Sequence, residues 1–153
     1  MSEDKDIELI KHMQDGIPLT KTPYKDISDA LGVSEQEVTE RIKKLLKEGK
    51  IRRLAASIAH RKIGINSNAM TVWKVPSDKV DECGKIMAAF EEVTHCYERP
   101  TFPDWEYNVF TMIHGYTDQE CEEVIERIKE KTGLSDYVVL YSERELKKVG
   151  VRI

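Results

Sequence analysis

No stretch of this 153-residue chain approaches the run of about 20 apolar residues that a membrane-spanning helix requires, so a membrane partner is not expected. Cysteine is scarce and badly spaced for a framework. Cys83, Cys96 and Cys121 are odd in number, far apart and form no CxxC pair, which argues against disulfides or a zinc site and for reduced thiols. An excess of positive charge is missing as well. The 24 Lys and Arg are outnumbered by 28 Asp and Glu, leaving a net charge of -4. Dedicated nucleic-acid binders carry a basic face, because neutralising phosphates supplies most of their affinity. This balance weighs against such a partner, although a local basic patch remains compatible with it. The opening MSEDKDIELIKHM is charged and amphipathic rather than signal-like, which makes the cytoplasm the expected compartment. What is present, 40% hydrophobic and 34% charged residues, describes a globular chain with room for one ordinary domain or two small ones.

The first third carries helix signals. Ile7, Leu9, Ile10 and Met13 have helical spacing, and Asp15-Gly16 stops that helix. Thr22-Pro23-Tyr24 leads into KDISDALGV, where Ile27, Ala30 and Leu31 face a core and Gly32 breaks the segment. Ser34 with Glu37 three residues on has capping-box spacing, and Val38, Ile42, Leu45 and Leu46 form the apolar stripe of the helix it starts. Gly49 ends that helix, and IRRLAASIAH reads as a strand. Two helices joined by a tight glycine turn and followed by a strand make a winged helix-turn-helix over residues 1–60. The segment DISDALGVSEQEVTERIKKLLKEGKIRR resembles the N-terminal domain of the Lrp/AsnC regulators. A recognition helix presents its N-terminal half to the major groove, and here that half offers Glu35, Glu37 and Glu40 to the phosphates. Arg41, Lys43, Lys44 and Lys47 come late, where they suit the negative end of the helix dipole. No DNA partner is expected.

Residues 61–153 alternate strand and helix signals: NAMTVWKV, then SDKVDECGKIMAAF, VTHCYERPT, EYNVFTMIHG, DQECEEVIERIKEKTG and DYVVLYSERELK. The order β-α-β-β-α-β predicts a ferredoxin-like antiparallel sheet with both helices on one face, and an α+β protein overall. The other face of the sheet needs cover. In the regulator family such domains pair through their sheets, so a dimer with a cleft between subunits is expected.

Two clusters carry the chemistry. In THCYER, strand alternation sets His95, Tyr97 and Arg99 on one face, with Glu98 on the other. An imidazole, a phenol and a guanidinium in a row suit a polyanion that must receive protons. In RRLAASIAHRKIG, cations at Arg52, Arg53 and Arg61 and an imidazole at His60 flank a run of small residues, Ala55, Ala56, Ser57 and Ala59. Small side chains leave room for a bulky flat ligand, and they also suit ordinary tight packing. Arginine engages both oxygens of a carboxylate. Only one of Arg52 and Arg53 is expected to point inward. His114 beside a turn reads as structural, and Trp73 and Trp105 read as packing or interface residues.

RRLAASIAHRKIG, NAMTVWKVP and THCYER with the following YNVFTMIHG resemble the siroheme decarboxylase family, specifically its beta-type subunits, over nearly the whole chain. The resemblance implies a carboxy-lyase that converts siroheme to 12,18-didecarboxysiroheme by releasing two acetate carboxyls as CO2, toward heme or heme d1. It also implies a paralogous alpha-type partner in a heterodimer or higher assembly. No added cofactor and no metal of its own are expected, because the macrocycle serves as the electron sink and brings its own iron. His60, His95 and Tyr97 are then the catalytic candidates. Either histidine fits as proton donor or as axial contact to the substrate iron. Arg52, Arg61 and Arg99 are the carboxylate clamps. The rival is an Lrp/AsnC-type ligand-sensing regulator. It accounts for the fold but poorly for the acidic recognition helix and the His-Tyr-Arg strand. A tetrapyrrole sensor that binds without reacting is a third alternative.

Overall fold

The computed structural model describes residues 2–153 apart from Ser57, Lys148, Gly150 and Val151; the side chains of Ser2, Glu3 and His60 are also outside the described set. The chain divides into two compact units, residues 1–58 with 147–153, and residues 59–146.

The first unit holds three helices, α1 (Ser2–Met13), α2 (Pro23–Leu31) and α3 (Glu35–Lys47). Proline in the first turn of α2 supplies a preset φ where no N–H partner is needed. Gly32, at φ 62°, ends α2 in the left-handed conformation, its N–H donating to Ser28 O. The Glu37 N–H then donates to Ser34 Oγ at 3.1 Å, and α3 begins as the capping spacing predicts. Leu9, Ile27, Leu31, Val38, Ile42 and Leu45 form the core of this unit. Two expected core positions point outward: Ile7 and Ala30 are exposed. With Leu9 at the centre of the buried stripe, a residue two positions away lies about 200° around the helix.

The strand expected over IRRLAASIAH is not formed among its described residues. Residues 51–56, 58 and 59 are irregular, Ser57 lies outside the described residues, and a 3-10 turn, His60–Ile63, follows. A strand needs a partner for its ladder, and the first unit offers none among the described residues. The helix-turn-helix is thus present without the wing strand.

The second unit runs β1 (Ser67–Trp73), α4 (Val80–Ala88), β2 (Val93–Glu98), β3 (Val109–Gly115), α5 (Asp118–Thr132) and β4 (Tyr137–Tyr141). The sheet order is β2-β3-β1-β4 with every neighbouring pair antiparallel, which is the expected ferredoxin-like arrangement. Thr117 Oγ1 caps α5 by accepting from Glu120 N–H at 3.2 Å. Cys83 and Met87 of α4 and Cys121, Val124, Ile125 and Ile128 of α5 pack on Ala69, Trp73, Val109 and Ile113 of the sheet. The Trp73 indole donates to Thr111 Oγ1 at 2.9 Å, so the largest core side chain is satisfied. All three cysteines are free, and burial pushes each thiol above its ordinary pKa. Among the described residues no helix is long and apolar enough to cross a membrane.

Candidate functional site

The helices cover one face of the sheet, and His95, Tyr97 and Arg99 stand on the other. Cross-strand pairing sets out two rows there. Tyr97 lies opposite Phe110, which lies opposite Val72, which lies opposite Val138. His95 lies opposite Met112, then Met70, then Leu140. Side chains opposite one another on antiparallel strands share a face. The result is an apolar platform whose β2 edge carries the imidazole and the phenol.

A bulge decides this placement. Val93 and Cys96 both pack against the helix-side core, although simple alternation sets residues three apart on opposite faces. The register between β2 and β3 shifts between Val93 (opposite Ile113) and His95 (opposite Met112), so Thr94 is the extra residue. Beyond the bulge, alternation is restored and His95, Tyr97 and Arg99 share the face away from the core.

Each of the three is held by its surroundings. Thr94 Oγ1 lies 3.0 Å from His95 Nδ1 and donates to Met112 O at 3.4 Å. A hydroxyl has one proton, so when Thr94 Oγ1 gives it to Met112 O the same oxygen is left to accept from His95. The His95 and Tyr97 rings lie 5.9 Å apart. Arg99 continues the ladder one step past β2, its N–H donating to Asn108 O at 2.8 Å. Its guanidinium sits over the Phe110 ring at 5.1 Å and has no carboxylate partner among the described residues. Stacking occupies the face of a guanidinium and leaves its N–H edge for an anion.

The other expected site residues stand elsewhere. Arg61 is on the 3-10 turn that leads into β1, half-buried, and its Nε is buried with no hydrogen-bond partner. That turn closes at Gly64, φ 94°, where a Cβ would meet the Tyr116 ring at 3.6 Å. His60 belongs to the same turn, but its side chain lies outside the described residues, as does Ser57 of the small-residue run. Arg52 is exposed in the irregular segment of the first unit.

Several residues on this face escape a reading of the sequence alone. Phe110, Met112, Met70 and Val72 make up the platform, and the register that aligns them is set by pairing between distant strands. His114 shares the parity of Phe110 and Met112 and lies opposite Asn68, whose Oδ1 is buried without a hydrogen-bond partner. Its position beside a turn hid this placement. Among the described residues no group of His, Cys, Asp and Glu is arranged to hold a metal ion.

Comparison with known proteins adds a second kind of observation. A model of an AsnC-like ligand binding domain matches residues 62–147, and a model of the siroheme decarboxylase NirDL-like helix-turn-helix domain matches residues 6–52. The chain is 59% identical over 148 residues to the siroheme decarboxylase beta subunit of Methanosarcina barkeri, covering 97% of each. It matches the crystal structure of the siroheme decarboxylase NirDL in co-complex with an iron-uroporphyrin III analogue at 37% identity and a TM-score of 0.65. That match spans 100% of this chain and 46% of the other. AsnC of E. coli shares the fold alone, with a TM-score of 0.79 at 15% identity.

Proposed function

The chain belongs to the siroheme decarboxylase family, and from that premise we propose that it is a beta-type subunit that removes CO2 from two acetate side chains of siroheme. The product is 12,18-didecarboxysiroheme, a precursor for heme or heme d1. One observation carries this conclusion: the identity of 59% to a beta subunit extends over 97% of both chains, and so takes in both units. A paralogous alpha-type subunit completes the assembly, and the cytoplasm is its compartment.

The geometry supplies a reason for the residues present. Each step converts a ring-CH2-COO⁻ group and one proton into ring-CH3 and CO2. The carbon–carbon bond breaks, its electron pair is delocalised into the macrocycle, and the proton ends on the former methylene carbon. Neither oxidant nor reductant is consumed, and no cofactor beyond the substrate's own macrocycle is required. What remains for protein side chains is orientation and proton delivery. Arg99, stacked on Phe110 with its edge unpaired, grips a carboxylate. His95, exposed on this face with Tyr97 beside it, delivers the proton or contacts the iron of the substrate. Arg61 is suited to a second carboxylate by its unsatisfied Nε, and Arg52 and His60 complete the assignment. The apolar rows along β3 and β1 receive the flat ring.

The test is anaerobic incubation with siroheme, with the chain alone and with its alpha-type partner, followed by product mass. Successive losses of CO2 from the mixture are expected. Binding with a shifted absorption spectrum and no mass loss would make the protein a sensor. An absence of binding, together with salt-sensitive duplex affinity, would restore the regulator.

A further inference from the structure

The connection from β2 to β3 is built as a finger. At its base, Asn108 accepts the Arg99 N–H through its backbone carbonyl at 2.8 Å and donates its own N–H to Trp73 O at 3.0 Å. The Asn108 side chain makes a two-way bond with the Val75 backbone, accepting at 2.8 Å and donating at 2.9 Å. At the tip, Phe102 and Trp105 exchange N–H···O bonds, both 2.9 Å, around Pro103-Asp104. Trp105 packs edge-on against Tyr107 at 5.1 Å, and Lys74 pairs with Glu106 at 2.8 Å. The connection is thus tied to the end of β1 at its base and closed on itself at its tip.

That finger holds aromatic surface in water. Phe102 is 63% exposed and Trp105 37% exposed, although aromatic side chains gain by leaving water. Together with Arg99, Pro100 and Phe110 they line a cavity of about 530 Å³. Its lining is aromatic and apolar apart from one guanidinium that lacks a carboxylate partner among the described residues. A flat conjugated edge bearing a carboxylate matches that combination: rings for the π-surface, the arginine edge for the charge.

We propose that Trp105 and Phe102 are positioning residues that stack on a pyrrole edge of the tetrapyrrole while Arg99 holds the carboxylate on that edge. This inference rests on the siroheme decarboxylase function proposed above. It adds a wall that orients the ring, so that one acetate is presented to His95 rather than left to tumble over the open face.

The test uses the complex with the alpha-type subunit and compares wild type, Trp105→Ala, Phe102→Ala and Trp105→Phe. Siroheme affinity is read by absorbance titration, and kcat and KM are measured separately. Each alanine variant is expected to weaken affinity and raise KM by about fivefold to tenfold, as for the loss of one aromatic contact, while Trp105→Phe stays near wild type. A double-mutant cycle with Arg99→Gln should show coupling, because both side chains hold the same edge. Thermal unfolding identifies any variant that has lost its fold, in which case Trp105→Phe and the Phe102 variant decide the matter. Folded alanine variants with wild-type affinity and KM, in a complex that still decarboxylates siroheme, would overturn the finger and leave the proposed function standing. A wild-type complex that binds no siroheme would overturn both.

Discussion

Helix α3 and strand β2 each carry a row of charged or titratable side chains, and they use them in opposite ways. On α3, Arg41 donates to Asp6 at 2.6 Å and to Glu37 at 2.7 Å, and Lys44 reaches Asp6 at 3.3 Å. Asp6 is 3% exposed. Burial acts to raise its carboxyl pKa, but the hydrogen bonds from Arg41 and Lys44 together with their charges outweigh it and hold the group below its ordinary value. Two cations of the helix are thereby engaged in fastening α3 to α1, and its first turns offer Glu35, Glu37 and Glu40. On β2 and its extension, His95, Tyr97 and Arg99 lean on rings and on one hydroxyl, and no carboxylate neutralises the guanidinium among the described residues. Charge matched within the fold holds the fold together. Polar groups that are stacked, aligned and unmatched are available to a ligand. The contrast is the reason that the roles proposed for His95, Tyr97 and Arg99 are set on the sheet and none on helix α3.

The largest expected effect separates the two units directly. His95→Ala in the complex should lower kcat by about a hundredfold or more, the scale of a lost general acid. Because His95 is exposed, its melting temperature should stay within about 1 °C of wild type. Full turnover by this variant would break the comparison on the β2 side.

Asp6→Asn is the converse and ranks next. It removes the charge that faces Arg41 and Lys44, and should destabilise the first unit by about 2 kcal/mol while leaving turnover of the folded complex unchanged. The pH dependence has a definite sign. The folded pKa of Asp6 lies below its unfolded value, so its contribution is fully present above the unfolded value and is lost as the pH falls through the folded one. Denaturant unfolding of wild type and variant should therefore differ at neutral pH and converge below about pH 4. A constant gap down to pH 2 would mean that Asp6 contributes by packing rather than by charge.

How much of this was visible in the sequence depends on whether the signal is local. The capping serine of α3, the glycine that ends α2 and the β-α-β-β-α-β order are encoded within a few residues each, and the structure has them all. The wing strand is not formed because a strand is a property of a pair, and among the described residues of the first unit no strand is present for this segment to pair with. On β2, alternation correctly grouped His95, Tyr97 and Arg99, but the bulge at Thr94 that frees them from the parity of Val93 belongs to the pairing with β3. His114 beside a turn reads as structural from the sequence, and only the register against Asn68 shows which face it shares. Trp105 reads from the sequence as a packing or interface residue, and it is 37% exposed. FPDW does mark a turn, but its exposure follows from the Asn108 clamp at the base of the finger, which joins residues far apart in the chain.

The smallest expected effect tests whether α3 is only structural. Ser34 Oγ accepts the Glu37 N–H at 3.1 Å, and removing such a cap costs about 1 kcal/mol. Ser34→Ala should lower the melting temperature by about 2–5 °C, and Ser34→Asp, which keeps an acceptor beside the helix N-terminus, should restore most of it. Both variants should decarboxylate at the wild-type rate once folded, since nothing proposed for the chemistry stands on α3. A rate that followed the cap, lower with alanine and recovered with aspartate, would instead tie the helix-turn-helix to turnover. The division between a charge-matched support and an unmatched working face would then have to be redrawn to include its first helical turn.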